Sequence, residues 1–420
     1  MNAVLTVMIF AGTLALILIR PRGMNEAWAT AIGGSLMLLC GLETPAQAWE
    51  AVAKGGDVLL FLLGLLIFSD LLQASGFFDW AAIHAARSAK GGGKALYRNV
   101  FLLGAITTAF LSLDTTAVIL TPIVLSFVGR LKLTARPFLL ACAFVANTGS
   151  LLLPVSNLTN LLFVSAFHWN FGRFVLTMAL PQLAALLVNY LLFQWLFSRD
   201  LPKDFEANAL PSSEEVIPDV PYFRGAVTTL CFVLVGYFAG SLLHVPPYAI
   251  ALTGCVVLLE WGMWRKQVSP KVIKEISWPI FPFVIGLFIV VRGVENLGLA
   301  SVAAHGLAAA GHAPLAQGMV AAFGAGIGSN IVNNIPMALL SISALQHGAS
   351  PAAQYGALLG CNLGPNLTVA GSLATMLVIT SSRKQGEDVG AKDFFVAGVK
   401  VTPLILLAAV LALWLVLIWL

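Results

Sequence analysis

Charge is what this sequence has least of. Only 10% of its residues are charged, against about 25% in a soluble globular domain, so an ordinary water-facing exterior is excluded. Its positive residues are spread between apolar runs, and a net charge of +4 with no basic cluster gives no footing for nucleic acid. The cysteines, Cys40, Cys142, Cys231, Cys255 and Cys361, show no Cys-x-x-Cys spacing. That removes a disulfide framework and a thiolate metal site and leaves small buried hydrophobes. Also missing are the His-Glu-x-x-His motif, a nucleophile elbow and a complete phosphate loop. Gly91-Gly92-Gly93-Lys94 has the look of the last but neither its spacing nor a strand before it, and reads as a cytoplasmic turn. No enzyme, cofactor or bound metal is expected.

What the chain has is apolar surface. Hydrophobic residues make up 59% of it and the mean hydropathy is +0.91. Runs at 4–19, 58–72, 174–197 and 394–420 approach the roughly 20 residues that span a bilayer. An all-α polytopic membrane protein, held in lipid, follows. The first run leads straight into Arg20-Pro21-Arg22 and is expected to stay as a membrane helix rather than be cleaved as a signal peptide.

Each half of the chain carries a hydrophobic stretch broken by Asn, Gly and Pro. The first reads Ala146-Asn147-Thr148-Gly149-Ser150, then Pro154 and Ser156-Asn157-Leu158-Thr159-Asn160; the second reads Cys361-Asn362-Leu363-Gly364-Pro365-Asn366, then Gly371-Ser372-Leu373-Ala374-Thr375. Upstream of each lies a further polar interruption, Asp114-Thr115-Thr116 and Asn333-Asn334. The offsets agree, 219 residues from Asp114 to Asn333 and 215 from Asn147 to Asn362. Matched broken segments in two halves point to the binding site of a secondary transporter. The stretches 100–113 and 115–129 are each too short to cross as helices, at about 21 Å against a hydrocarbon core of about 30 Å. They are expected as a re-entrant hairpin with Asp114 at its tip. The stretches 318–328 and 335–345 repeat that hairpin, with Asn333-Asn334 at the tip. Short amphipathic pieces at 76–89 and 298–310 precede the two hairpins.

Lys and Arg mark cytoplasmic loops. With the N-terminus outside, all of the 23 basic residues but Lys54, Arg173, Arg292 and Lys400 fall inside. The first hairpin then opens to the cytoplasm. The second, whose flanks hold His305, His312 and His347 but no Lys or Arg, opens outward. The two halves are therefore an inverted repeat with both termini periplasmic. The first repeat is 1–198 (scaffold 1–74, transport hairpin and broken helix 98–168). The second is 224–420 (scaffold 224–297, transport hairpin and broken helix 316–381). The acidic, proline-bearing stretch 199–223 between them is read as a solvated cytoplasmic linker.

Asp114 is the residue to weigh first. A carboxylate at mid-depth costs about 2.5–3.5 kcal/mol on insertion scales and is functional by default, which makes it the candidate for proton coupling. Asp is also a favoured N-cap, and capping the helix from Thr115 is the structural alternative. Asp57, Asp70 and Glu295 lie at span ends, and Arg292 stands three residues before Glu295, the spacing of a helical ion pair. Thr115, Thr116, Asn147, Thr148, Asn157, Thr159, Asn333, Asn334, Asn362, Asn366, Thr368 and Ser372 are the candidate substrate-binding residues. They supply neutral donors and acceptors where unwound backbone is tolerated only if it lines a cavity or is covered by protein. No Arg or Lys stands among them to hold a carboxylate, so a small hydroxyl-rich solute or a small ion suits the site. A single Asn here would be helix–helix glue; the recurring set is not.

Together with Ala117-Val-Ile-Leu-Thr-Pro-Ile-Val124, Leu72-Gln-Ala-Ser-Gly-Phe-Phe-Asp-Trp-Ala-Ala-Ile-His84, Asn333-Asn-Ile-Pro336 and Gly360-Cys-Asn-Leu-Gly-Pro365, these segments resemble the bacterial arsenite-efflux permeases of the ion-transporter superfamily along essentially the whole chain. The resemblance implies an inverted-repeat fold of about ten transmembrane helices, two re-entrant hairpins and two broken helices, in the bacterial inner membrane. It implies export of As(OH)3 and Sb(OH)3 in exchange for protons, with a soluble ATPase subunit and a homodimer as partners that some relatives have. Members often carry Asp where this chain has Asn147 and Asn362, which leaves Asp114 as the one central carboxylate. A sodium/proton antiporter and a passive channel for metalloid hydroxides are the alternatives.

Overall fold

The computed structural model describes residues 2–295, 311, 313–346, 348–384, 386 and 389–419. Among them there is no strand, and seven helices are long and apolar enough to cross a membrane. The sequence-predicted piece at 298–310, with His305, His312 and His347, falls outside the described residues.

The first half begins with α1 (Asn2–Ile19), α2 (Glu26–Leu39), α3 (Pro45–Lys54) and α4 (Gly56–Ala74). The amphipathic α5 (Phe77–Arg87) follows, entered through Gly76 at φ 79, a conformation glycine adopts without a Cβ clash. The hairpin arms are α6 (Gly93–Phe110) and α7 (Leu113–Arg130). Both are longer than expected, 18 residues or about 27 Å each. The helix starts right after the Gly91-Gly92 turn and carries Lys94 and Arg98 in its first turns, where the sequence reading had a loop. Helix α7 contains a π-helical stretch, Thr116–Leu120, closed by Thr121 Oγ1 donating to the Thr116 carbonyl at 2.8 Å. Such bulges are frequent at functional sites.

The expected breaks are present. Helix α8 (Ala135–Thr148) gives way to two 3-10 turns, Gly149–Leu151 and Pro154–Ser156, before α9 (Leu158–Ala166). After α10 (Phe171–Leu196), α11 (Val220–Leu243), α12 (Pro247–Trp264) and α13 (Ile280–Glu295) comes the second hairpin, α14 (Pro314–Val332) and α15 (Asn334–Leu345). The second broken helix is α16 (Pro351–Leu363), 3-10 turns at Gly364–Leu367 and Val369–Gly371, and α17 (Leu373–Lys384); α18 (Ala391–Trp419) ends the chain.

Helix α4 packs on α12 and α13 on α2, forming a frame around the hairpins and broken helices. The broken helices cross between the hairpins: α17 lies on α7 and α8, while α9 lies on α15. Each hairpin is thus held by the far half of the other repeat's broken helix. At the ends, Trp169 stacks on Tyr355 of α16 with ring centroids 3.9 Å apart.

The 199–223 stretch is docked rather than solvated. Gly93 N–H donates to the Lys203 carbonyl at 2.9 Å, Phe205 N–H to the Gly91 carbonyl at 2.8 Å, and Arg87 to the Leu210 carbonyl at 2.9 Å. Its Leu201 and Leu210 are buried. The glycines at 91–93 allow this contact, since a side chain at 93 would strike Pro202. Arg292 pairs with Glu43 of the α2–α3 loop at 3.7 Å and with Glu50 of α3 at 3.0 Å, and it also acts electrostatically on Glu295 of its own helix. Cys142, Cys255 and Cys361 are buried as expected, whereas Cys40 and Cys231 lie on the outer surface.

The tightest packing is between α14 and α16. Gly318, Ala322 and Gly326 on α14 face Gly356 and Gly360 on α16 and Gly364 just past its end, and a Cβ at Gly356 would lie 2.5 Å from the Gly318 carbonyl oxygen. Small residues at four-residue spacing bring membrane helices to backbone contact, where dispersion rather than hydrophobicity binds them. Replacing Gly360 by Leu forces its side chain into the Ala322 carbonyl and Gly326. The expected outcome is loss of the monodisperse detergent-purified protein, read by size-exclusion chromatography; a normal elution profile would show that the contact is dispensable.

Candidate functional site

The site grows from the non-helical backbone of the two breaks. Polar backbone groups freed there cannot turn to lipid, so buried side chains bridge them. Gln182 of α10 donates to the Thr148 carbonyl at 2.8 Å and accepts from Leu151 N–H at 2.7 Å, spanning the first break. Asn160 donates to the carbonyls of Ser150 (2.7 Å) and Leu153 (2.9 Å). In the second half, Asn330 of α14 donates to the Gly326 and Gly364 carbonyls at 2.8 Å each and accepts from Thr368 Oγ1 at 2.7 Å.

The breaks also bond each other. Asn147 Nδ2 donates to Asn366 Oδ1 at 2.9 Å and Thr375 Oγ1 at 3.1 Å, and Asn366 Nδ2 donates to Thr148 Oγ1 at 2.9 Å. Asn362 Nδ2 donates to Asn160 Oδ1 at 2.6 Å, and Asn362 Oδ1 accepts from Asn157 Nδ2 at 3.1 Å and from Thr159 Oγ1. Asn147, Thr148, Thr159, Asn362, Asn366 and Ser372 are fully buried and Asn157 nearly so. These candidates therefore form one network at the crossing of α8, α9, α16 and α17.

Of the hairpin residues, Asn333 bonds the second break, whereas Thr115 and Thr116 bond Ser69, Ser112 and Thr108 instead. The tip of the first hairpin is Leu111-Ser112, and Ser112, not Asp114, is the N-cap: its Oγ accepts from Thr115 N–H at 3.1 Å. Asp114 sits in the first turn of α7, next to Leu113 and Thr115. Thr115 also bonds Ser69 of α4 at 2.9 Å, whereas Thr116 is turned into the hairpin against Thr108 at 2.8 Å. Asn333 caps α15 with φ 76, an unusual backbone for a residue with a Cβ, and donates to the Ala370 carbonyl at 3.1 Å. Its Oδ1 and that of Asn334 are buried without a hydrogen-bond partner, as is Asn147 Oδ1.

Two cavities flank this network at opposite ends of α4 and α13. One, of about 320 Å³, is lined by Leu66, Ser69 and Asp70 of α4, Ile280 and Phe283 of α13, Asp114 and Thr115 of α7, and Leu373 and Leu377 of α17. Arg20 at its edge is paired with Glu26. The other, of about 470 Å³, is lined by Val58 of α4, Val291 and Arg292 of α13, Leu162 of α9, and Leu339 and Ile342 of α15, with Lys54 and His168 at its rim. Among the described residues no cluster of His, Cys, Asp or Glu could hold a metal ion.

A family model described as ArsB, arsenical pump membrane protein, matches residues 5–420. The chain belongs to the arsenical pump membrane protein family. It is 31% identical over 429 residues to the arsenical pump membrane protein of Escherichia coli K12, covering 96% of this chain and 97% of that one. It is 26% identical to the putative arsenical pump membrane protein of Bacillus subtilis, covering 98% and 99%. Its fold is that of the Alcanivorax borkumensis YdaH transporter (TM-score 0.62, 16% identity, 99% of each chain). The Neisseria gonorrhoeae efflux pump MtrF is similar too (TM-score 0.54, 13% identity, 90% and 84% covered). As a member of the arsenical pump family, the chain is a multi-pass membrane transporter and not an enzyme.

Sequence reasoning missed Gln182, Asn189, Ser69 and Asn330. Gln182 and Asn189 lie inside the apolar run at 174–197, where an isolated amide reads as glue; two amides seven residues apart, two turns along one helix face, were the available signal. For Gln182→Leu, which strips a carbonyl and an N–H of their partners inside the fold, the expected loss is about 1–3 kcal/mol per orphaned group. A lowered melting temperature in detergent would show it; an unchanged one would mean the break is held without Gln182.

Proposed function

We propose that this protein exports trivalent arsenic and antimony, as neutral As(OH)3 and Sb(OH)3, from the bacterial cytoplasm across the inner membrane in exchange for protons. One observation carries this reading. At the breaks and the second hairpin tip, the buried side-chain atoms left unpaired among the described residues are amide oxygens, those of Asn147, Asn189, Asn333 and Asn334. A buried acceptor without a donor is costly, so the matching ligand is one that donates. A trivalent metalloid hydroxide presents three O–H donors and no formal charge. An oxyanion or a carboxylate would bring acceptors against acceptors.

The flanking cavities supply access from two faces in turn. In this reading 1–198 and 224–420 are inverted repeats with both termini periplasmic. The parts at 98–168 and 316–381 shift against the scaffold 1–74 and 224–297, opening one cavity as the other closes. Asp114 has neither ion-pair nor hydrogen-bond partner among the described residues. It takes a proton at one face and gives it up at the other. Each inward proton contributes about 2.3 kcal/mol per 100 mV of potential, enough to move a neutral solute uphill. No nucleotide enters this cycle; an ATPase subunit and a homodimer are not needed for it.

A sodium/proton antiporter is the second reading, favoured by the oxygens of Ser69 and Thr115 beside Asp114, which would also suit a bare cation. Everted vesicles containing the protein separate the two. With an imposed proton gradient, arsenite should accumulate uphill and a protonophore should stop it, while sodium should leave proton flux unchanged. Asp114→Asn is expected to abolish uphill accumulation. Undiminished accumulation by that variant would refute its coupling role, and sodium-driven proton flux without arsenite uptake would favour the antiporter.

A further inference from the structure

Asn147 and Asn362 occupy matching places, 215 residues apart, and their amide nitrogens behave alike. Asn147 Nδ2 donates to Thr375 Oγ1 at 3.1 Å and Asn362 Nδ2 to Asn160 Oδ1 at 2.6 Å; 160 and 375 are again 215 apart. The carbonyl ends differ. Asn362 Oδ1 accepts from Asn157 and Thr159. The residues 215 positions on from these are Ser372 and Ala374. Ser372 is too short to reach across and its Oγ is held by Thr375, at 3.0 Å from Oγ1 and 3.1 Å from N–H; Ala374 has no donor. Asn147 Oδ1 is consequently fully buried with no donor.

The amide orientations follow from the network rather than from choice. Thr159 N–H donates to Asn157 Oδ1 at 3.1 Å, so Asn157 Nδ2 must face Asn362 Oδ1. Asn366 uses its Nδ2 on Thr148 Oγ1 and the Phe144 carbonyl, so its Oδ1 requires the donor that Asn147 provides. Turning Asn147 over would set two carbonyl oxygens against each other.

We propose that, of these two like amides, Asn147 Oδ1 is the one that seats the substrate, and that residues 372 and 374 leave it open by being short. At Asn362 the protein's own amide and hydroxyl, from Asn157 and Thr159, fill the equivalent place and stand where two hydroxyls of a ligand would stand. The Asn362 side is a fixed half of the crossing, and the Asn147 side is the selective half. This inference rests on the proposed transport of a neutral hydroxide and adds which of two like amides receives it.

The test gives the second half the first half's residues. Ser372→Asn with Ala374→Thr places an amide and a hydroxyl beside Asn147 Oδ1. Purified wild type and variant are titrated with arsenite and with antimonite by calorimetry, and their melting temperatures are measured. The expected result is wild-type binding, and a variant that melts no lower yet binds on the order of tenfold more weakly or not at all, as one lost hydrogen bond would give. If the double variant does not purify as a folded protein, Ala374→Thr alone is read in the same way. Wild-type affinity retained in a folded variant overturns the inference. Absence of arsenite and antimonite binding in the wild type overturns the functional proposal itself, a different result from the same titration.

Discussion

Backbone that leaves the helical form inside an apolar layer must find its hydrogen bonds within the protein, and the architecture is arranged around that need. Two helices unwind at their centres, and neither break is satisfied by its own backbone alone. Gln182 and Asn160 serve the first, Asn330 the second, and the two are then tied by Asn147, Asn366, Asn157 and Asn362. Neutral amides suit this role because each carries donors and an acceptor on one planar group, and no charge has to be taken from water.

The constraint also fixes what surrounds the crossing. Helices α14 and α16 approach to backbone contact through glycine and alanine, which brings Asn330 within reach of Gly364. Asp114 and Thr115 of α7 line a cavity at one end of α4 and α13, and a second cavity lies at the other end. In the proposed cycle a neutral ligand would exchange water for amide oxygens at such a place, and Asp114 would carry the proton that drives transport.

Much of this was legible in the sequence, for a physical reason: Asn, Gly and Pro inside a hydrophobic run have few uses other than breaking a helix where something binds. The four interruptions, their pairing between halves and Asn147, Asn157, Asn362 and Asn366 were therefore found. Hairpin length was misread because Lys94 and Arg98 were taken as loop residues, although they lie on the first turns of α6. Ser112 was passed over as cap in favour of Asp114, since N-cap preference alone does not tell Ser from Asp. The amides on α10 went unseen because their partners lie 31 to 41 residues away in sequence and no local pattern announces them. The inequality between Asn147 and Asn362 needed coordinates, because both are the same residue at matched offsets and differ only in what faces their oxygens.

The central claim is that oxygen acceptors at the crossing, not thiols, hold the metalloid. Anomalous diffraction from crystals grown with antimonite reads this directly. The account predicts one antimony peak against Asn147 at the meeting of α8 and α17. A peak over Cys361 or Cys142, or one confined to the rim by Lys54 and His168, would contradict it.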